Sequence, residues 1–539
     1  MKDKKDFTID FDNFPENQLR KFTQKLRDLN KRIVPILDPG IKIEDGYGPY
    51  ERGLNYCVFI RNPYWLRGKD EFYVGAVWPG KVHFIDFTNP NTSNYWKSEL
   101  NSFFKLLSND SDVIGGLWLD MNEPSNFIDG YNYTFNDMPG DFNQFSLNFP
   151  RYIINNGGTE APIYTKTIPM DTCAALGTSY QTHNLYGIFE SIQTYNAMIE
   201  INPNKRPFLL TRSTFPGSGR WTATWLGDNL STFPQMALSI AGVLQYGLEG
   251  LPISGPDICG FAGEASEELC ARWMALGSFY PFSRNHNSIL STTDQEPFRW
   301  ESVANVSRKY LSLRYSLLPY YYTLMHESHA KGWPIWRPVF FYDNSSVALD
   351  INNQFFIGEE LLVTPILEES VTNLSVRLPV GEWYEWESFN FLKTSLNPIN
   401  INYNAPFAFI PIHLRAGRIL MMQQPKLNMF ETRKTNFTIL IALDSNLSAS
   451  GKLYWDDGVS LDVGDQFIDA EISARIYNTS MLSFEFRERL RFNDCPFIKN
   501  IKVLTAGKRF NIRNAKEVGY GFDIEFERPL KIGNFSISF

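Results

Sequence analysis

Apolar positions in the first 330 or so residues follow two alternating rhythms. Leu19, Phe22, Leu26 and Leu29 recur at three- and four-residue spacing, which predicts an amphipathic helix. An apolar run follows, Ile33-Val34-Pro35-Ile36-Leu37, and stops at Asp38. The same succession occurs twice more. Phe103, Phe104, Leu106 and Leu107 precede Leu117-Trp118-Leu119 and then Asp120; Leu185, Ile188, Phe189, Ile192 and Tyr195 precede Pro207 to Thr211 and then Arg212. Helix, short buried strand and a polar residue at the strand's end form the repeating pattern of a parallel sheet. In a (β/α)8 barrel the C-terminal strand ends are where the chemistry sits. Residues 39–95 and 127–182 read mostly as loop, inserted after two strands.

Past about residue 335 the rhythm changes to short β-prone segments bounded by turn residues. Examples are Ser375-Val-Arg-Leu-Pro, Trp383-Tyr-Glu-Trp386, Gly451-Lys-Leu-Tyr-Trp455 and Ile498 to Leu504. The fold class expected is therefore α/β. A catalytic (TIM) barrel covers 1–334, and two antiparallel β-sandwich domains follow, 335–417 and 418–539, with a seam near Gly417.

Composition narrows the function. Net charge is −8 with no clustered basic face, so a nucleic-acid partner is not expected. No apolar run approaches the ~18 residues of a membrane span. Met1-Lys-Asp-Lys-Lys-Asp has no apolar core of a signal peptide. Asn-x-Ser/Thr sequons at Asn91, Asn109, Asn132, Asn229, Asn305, Asn344, Asn373, Asn436, Asn446, Asn478 and Asn534 nevertheless argue for the secretory pathway, although some arise by chance. Cys259 and Cys270 have a spacing that a disulfide could close, while Cys57, Cys173 and Cys495 lack obvious partners. Six scattered histidines suggest neither metal nor organic cofactor.

Acidic residues at the ends of buried strands need a reason, because desolvating a charge is costly. Taken alone, Asp120 reads more readily as a helix cap or ion-pair partner than as a catalyst. Asp228, in the Gly-rich stretch 211–229, reads as a capping residue of a turn. Together they suit a different task. Glycoside hydrolysis with retention needs two carboxylates on one glycosidic bond, about 5–5.5 Å apart, one ionised and one protonated.

Several motifs make that chemistry specific. Leu119-Asp-Met-Asn-Glu-Pro124 and Gly227-Asp-Asn229 resemble the nucleophile and acid/base segments of glycoside hydrolase family 31. Ile36-Leu-Asp38-Pro, Val77-Trp-Pro-Gly80, Arg212-Ser-Thr-Phe, Gly255-Pro-Asp-Ile-Cys-Gly-Phe261, Tyr280-Pro-Phe-Ser-Arg-Asn-His286, Arg337-Pro, His413-Leu-Arg-Ala-Gly417 and Trp455-Asp-Asp-Gly458 match in order, so the resemblance spans the chain. It is nearest to the lysosomal and intestinal maltase group. The resemblance implies a retaining exo-α-glucosidase acting on terminal α-linked glucose of maltose-type oligosaccharides or glycogen. Asp120 is then the nucleophile and Asp228 the general acid/base. Asp38, Arg212, Asp257 and His286 bind the terminal glucose, Trp118, Trp225 and Phe261 wall its subsite, and Met121 lines it. Cys259 and Cys270 match the family's disulfide.

The resemblance also implies segments ahead of Met1: an N-terminal β-sandwich and two βα units, without which the barrel lacks its first strands and cannot close. The expectation is therefore of an N-terminally truncated enzyme, with a non-catalytic carbohydrate-binding paralogue or inactive fragment as the alternative. Thr224 stands where the family usually has His, and Cys173 looks like half of a family disulfide.

Overall fold

The computed structural model describes residues 1–62, 71–109, 111–129, 147–150, 152, 161–407, 409–477, 481–490, 492, 494–508, 510, 516–518, 521–533 and 535–538. Sequons Asn132, Asn478 and Asn534, and much of 127–182, lie outside the described residues. The chain forms two compact units, Met1–Thr224 and Trp225–Phe539.

In the first unit α1 (Glu16–Asp28) leads to β1 (Ile36–Leu37). Next come β2 (Gly40–Lys42), α2 (Gly48–Tyr56), β3 (Gly75–Val77), β4 (Gly80–Phe84), α3 (Thr92–Leu107) and β5 (Gly116–Leu119). β6 (Cys173–Ala174), β7 (Gly177–Thr178) and α4 (Ser179–Thr182) precede α5 (Tyr186–Ile201), β8 (Phe208–Thr211) and β9 (Ala223–Thr224). β1, β5, β8 and β9 lie side by side in one parallel sheet. Leu37, Leu117, Leu119, Leu209 and Leu210 of these strands are buried, which is why they read as unbroken apolar runs rather than alternating ones. Helices α3 and α5 pack together, and Trp96 donates Nε1–H to Thr194 Oγ1 at 2.9 Å.

Within 39–95, α2 and a three-stranded antiparallel sheet ordered β2-β4-β3 stand among the loops. Its strands are three to five residues long, too short to print a period on the sequence. Helix α1 forms as expected, yet Phe22 and Leu29 of its apolar stripe are exposed, at 53% and 46%.

In the second unit α6 (Phe233–Leu248), β10 (Asp257–Ile258), α7 (Glu267–Gly277), β11 (Arg284–Asn285), α8 (Glu301–Ser316) and α9 (Leu318–Lys331) come first. β10 and β11 pair in parallel. Thr232 and Ser266 cap α6 and α7 by accepting from the Gln235 and Leu269 amides.

An eight-strand region follows: β12 (Trp336–Pro338), β13 (Phe355–Ile357), β14 (Leu361–Val363), β15 (Asn373–Leu378), β16 (Glu382–Glu385), β17 (Phe391–Lys393), β18 (Ile399–Asn404) and β19 (Ile412–Arg415). Six of these make an antiparallel sheet ordered β12-β13-β14-β19-β16-β17, and β15 pairs with β18. Val376 and Leu378 of that ribbon share one buried cluster with Phe356, Leu362 and Trp383 of the sheet, so two layers face each other.

Beyond Gly417 run β20 (Arg418–Gln423), β21 (Phe437–Ala442), β22 (Ser448–Trp455), β23 (Ile468–Tyr477), β24 (Met481–Leu490), β25 (Ile498–Leu504), β26 (Lys516–Val518), β27 (Gly521–Leu530) and β28 (Phe535–Ser538). They form a nine-stranded sheet, antiparallel except where β20 meets β22 and β21 meets β25. Along β23 every second residue is buried, the signature of a sheet with one wet face. Among the described residues no helix is long and apolar enough to cross a membrane.

Candidate active site

Each unit presents a set of the expected residues. In the first unit the sheet register decides their placement. Leu37 pairs with Leu119, and Leu119 with Thr211, so the next residues on three adjacent parallel strands are Asp38, Asp120 and Arg212. The backbone continues that ladder for one more step. Asp120 N–H donates to Leu37 O at 3.0 Å, and Arg212 N–H donates to Leu119 O at 3.0 Å. Three polar side chains, each separated in sequence by more than eighty residues, thus share one row at the carboxyl end of the sheet.

Arg212 organises this row. Its Nη1 stands 3.2 Å from Asp120 Oδ1, while Nε and Nη2 donate to the two Glu123 oxygens at 2.8 Å each. A guanidinium that close favours the ionised form of Asp120. The only mark of Glu123 in the sequence is its place three residues after Asp120. Asn122 ties the strand ends together, donating from Nδ2 to Thr211 Oγ1 at 2.7 Å and accepting from the Ser213 amide at 2.8 Å.

Asp38 has no such cation to itself. Burial, then the charge of Asp120, pushes its carboxyl up to about 7, with Arg212 opposing. Its Oδ1 is buried without a hydrogen-bond partner, while its amide donates to Asp6 Oδ1 at 3.0 Å. An acceptor left open in that way suits a ligand hydroxyl. Met121 is buried with φ +57, and Trp118 is half-buried on β5.

In the second unit, Asp257 and Arg284 are register partners on β10 and β11. Asp257 Oδ1 accepts from Arg284 Nη2 at 2.6 Å and Nε at 3.0 Å, in a fully buried pair on the aspartate side. Arg284 also lies over the Trp225 ring, 5.1 Å from its centre, and Trp225 is almost fully buried. Arg284 stands inside the Tyr280–His286 motif, and its partner emerges only from the strand pairing. His286 faces Phe261 with ring centres 5.4 Å apart. Burial, then Arg284, pushes its imidazole down to about 4, so it is neutral near neutral pH.

Asp228 is exposed on a turn begun by Gly227, whose φ of +77 suits a residue without Cβ. The next residue anchors that turn. Asn229 Nδ2 donates to Asp257 O at 2.9 Å, its Oδ1 accepts the Asp257 amide at 3.2 Å, and its carbonyl accepts from Phe261 N at 2.7 Å. Cys259 and Cys270 form a disulfide that ties this loop to α7. Gln295 adds bonds to the Gly260 and His286 carbonyls at 2.9 and 3.0 Å. Thr224, where the family usually has His, donates Oγ1–H to Thr211 O at 2.8 Å. Cys57, Cys173 and Cys495 are free thiols.

Comparison with known proteins gives a consistent answer. Residues 1–324 match the TIM-barrel domain of glycosyl hydrolases family 31, and residues 332–420 match the C-terminal domain of that family. A probable alpha-glucosidase of Oryza sativa subsp. japonica is 41% identical over 458 residues, covering 85% of this chain and 49% of the relative. Alpha-glucosidase of Hordeum vulgare is 41% identical over 465 residues, covering 85% and 50%. Intestinal sucrase-isomaltase of Oryctolagus cuniculus is 40% identical, covering 86% and 24%. The Tris-bound glucosidase II alpha subunit superposes with a TM-score of 0.83 at 25% identity, covering all of this chain and 57% of that one. The chain thus spans about half the length of the first two relatives.

Proposed function

The chain belongs to glycosyl hydrolase family 31, and on that footing we propose that it acts as a retaining exo-α-glucosidase on terminal α-linked glucose of maltose-type oligosaccharides or glycogen. The observation that carries the reading is the row of Asp38, Asp120 and Arg212 at the ends of three neighbouring parallel strands. Relatives described as alpha-glucosidases support the substrate class.

Asp120 attacks the anomeric carbon, its charge held by Arg212. Asp228 protonates the departing glycosidic oxygen. A glucosyl ester on Asp120 results, and Asp228 then takes a proton from water, which releases glucose with the α configuration retained. Asp38, with one open oxygen, accepts from a glucose hydroxyl, and Asp257 and His286 bind others; the neutral imidazole can both donate and accept. Trp118, Met121, Trp225 and Phe261 supply apolar contact to the sugar ring. The disulfide and the exposed sequon asparagines support a place in the secretory route, whether lysosomal, secreted or cell-surface.

The test is turnover of p-nitrophenyl α-glucoside and maltose by the full-length protein, with the first product anomer read by proton NMR. Asp228→Asn should lower kcat roughly 10²–10⁴-fold. Asp228→Ala with azide should yield α-glucosyl azide, because azide needs no general base, and Asp120→Asn should not be rescued. β-Glucose as the first product would overturn retention. Maltose bound but never cleaved by the parent protein would make it a binding module.

A further inference from the structure

Among the described residues β1 is the outer strand of its sheet, with a neighbouring strand on one side only. Leu37 O faces β5 and accepts from Asp120 N–H, which turns the Asp38 amide to the opposite side. A side chain, rather than a strand, takes that amide. Asp6 Oδ1 accepts it at 3.0 Å, and Asp6 is almost fully buried. Asp6 is itself clamped. Tyr47, just ahead of α2, donates its hydroxyl to Asp6 O at 2.6 Å. Phe7 follows in the left-handed region, with φ +57, its ring edge-on to Trp96 and Phe103 of α3 at 5.3 and 6.0 Å. A bulky residue keeps such a backbone only where its surroundings hold it there.

We infer that Asp6 is a positioning residue: its carboxyl stands where a neighbouring strand's carbonyl would, anchors the backbone of Asp38, and so aims the Asp38 carboxyl at one sugar hydroxyl. The two ends of Asp38 divide the work. Its amide is committed to Asp6, whereas its Oδ1 is buried without a hydrogen-bond partner. No protein hydrogen bond steers that oxygen, so its direction is set by the backbone that carries it. The backbone is fixed on one side by β5, through Asp120 N–H on Leu37 O, and on the other by Asp6. Removing the second tie leaves the first residue beyond the strand free to turn. Burial, then the charge of Asp38, pushes the Asp6 carboxyl upward; ionised or protonated, it keeps an oxygen able to accept.

The aiming of Asp38 rests on the proposed glucosidase reading; the clamp on its amide does not. The full-length protein is assayed on p-nitrophenyl α-glucoside and on the monodeoxy analogues of its sugar. Asp38→Ala marks the analogue lacking the hydroxyl that Asp38 takes, because on that one its loss in kcat/KM disappears. Asp6→Ala should lower kcat/KM roughly 10- to 100-fold on the glucoside and less than about threefold on that same analogue. Tyr47→Phe, which removes only the hydroxyl behind Asp6, should repeat the pattern at roughly three- to tenfold. Asp6→Asn keeps an oxygen for the amide and should stay within about threefold of the parent throughout. One readout needs no activity. Hydrogen exchange of the Asp38 amide should be slow in the parent and Asp6→Asn, and fast in Asp6→Ala. Losses spread evenly over the glucoside and every analogue would mark general damage and overturn the inference. So would slow exchange in Asp6→Ala, Asp6→Asn as impaired as Asp6→Ala, or an Asp38→Ala loss that no analogue relieves. A parent protein inert on α-glucosides would sink the glucosidase reading and leave the exchange rates to decide the clamp. If Asp6→Ala fails to fold, Tyr47→Phe still decides by its selectivity across the substrates.

Discussion

At the scale of residues, one carboxyl in the first unit is held against its preference. Asp38 titrates at about 7 in the folded chain against an ordinary 3.8, chiefly through burial and secondarily through Asp120. A raised acid stabilises the fold fully below its unfolded value, and that stability drains away as pH climbs through 7. Asp38→Asn should therefore raise Tm at pH 8 and leave it near the parent value at pH 4. Each pKa unit corresponds to about 1.4 kcal/mol, so the gain at pH 8 should reach a few kcal/mol. Calorimetry at the two pH values checks this, and an equal shift at both would contradict it. The same residue shows what sequence can and cannot reveal. Asp38, Asp120 and Arg212 were legible because each follows an apolar run that betrays a buried strand. Glu123 and Arg284 sit in no apolar pattern: their roles come from partners brought near by the fold, 89 residues away for Glu123 and Arg212.

Elements show a related limit. The period of an apolar stripe fixes that a helix forms, not which neighbour covers it; α5 buries Gly187, Glu190, Ser191 and Thr194, none of which a hydrophobic pattern would choose. The missing Cβ at Gly187 is what lets α5 sit directly on the backbone of Ser213. Two effects compete at Gly187. Alanine would improve helix propensity by about 1 kcal/mol. Its methyl would meet Ser213 O at 2.6 Å and Ser213 Cβ at 2.9 Å, and overpacking of this kind costs typically 1–3 kcal/mol. The clash should win, because the nearest atom is backbone and cannot rotate aside. Gly187→Ala is thus expected to lower the urea midpoint, and an unchanged or raised midpoint would show that α5 can retreat without loss. In the distal sheet, by contrast, β23 displays its alternation openly, because one face is core and the other is water.

On the whole-molecule scale, the sequons sort themselves by exposure. Asn91, Asn109, Asn305, Asn344, Asn373 and Asn446 are exposed, and Asn436 is half-buried. Protein made through a secretory host should carry glycans within the exposed set, read as mass shifts that vanish on enzymatic deglycosylation; a folded, active product with every one of those sites bare would count against the secretory assignment. Their positions fall in both compact units, so the pattern reports on each separately. The division into parallel and antiparallel halves was legible because βα rhythm and short alternating strands differ in period. The short sheet within 39–95 was not, since three-residue strands leave no repeat to detect.

Asn229 has a consequence for biosynthesis. It begins an acceptor triplet, Asn-Leu-Ser, yet in the finished fold its carboxamide is committed to both backbone groups of Asp257. A nascent chain entering an oligosaccharyltransferase-bearing compartment presents the same triplet before that pairing exists. Loop closure and sugar transfer therefore compete for one nitrogen, and a molecule modified first could not seat Asn229 beneath Asp228. Speed of folding, rather than final stability, would then set the fraction of usable molecules.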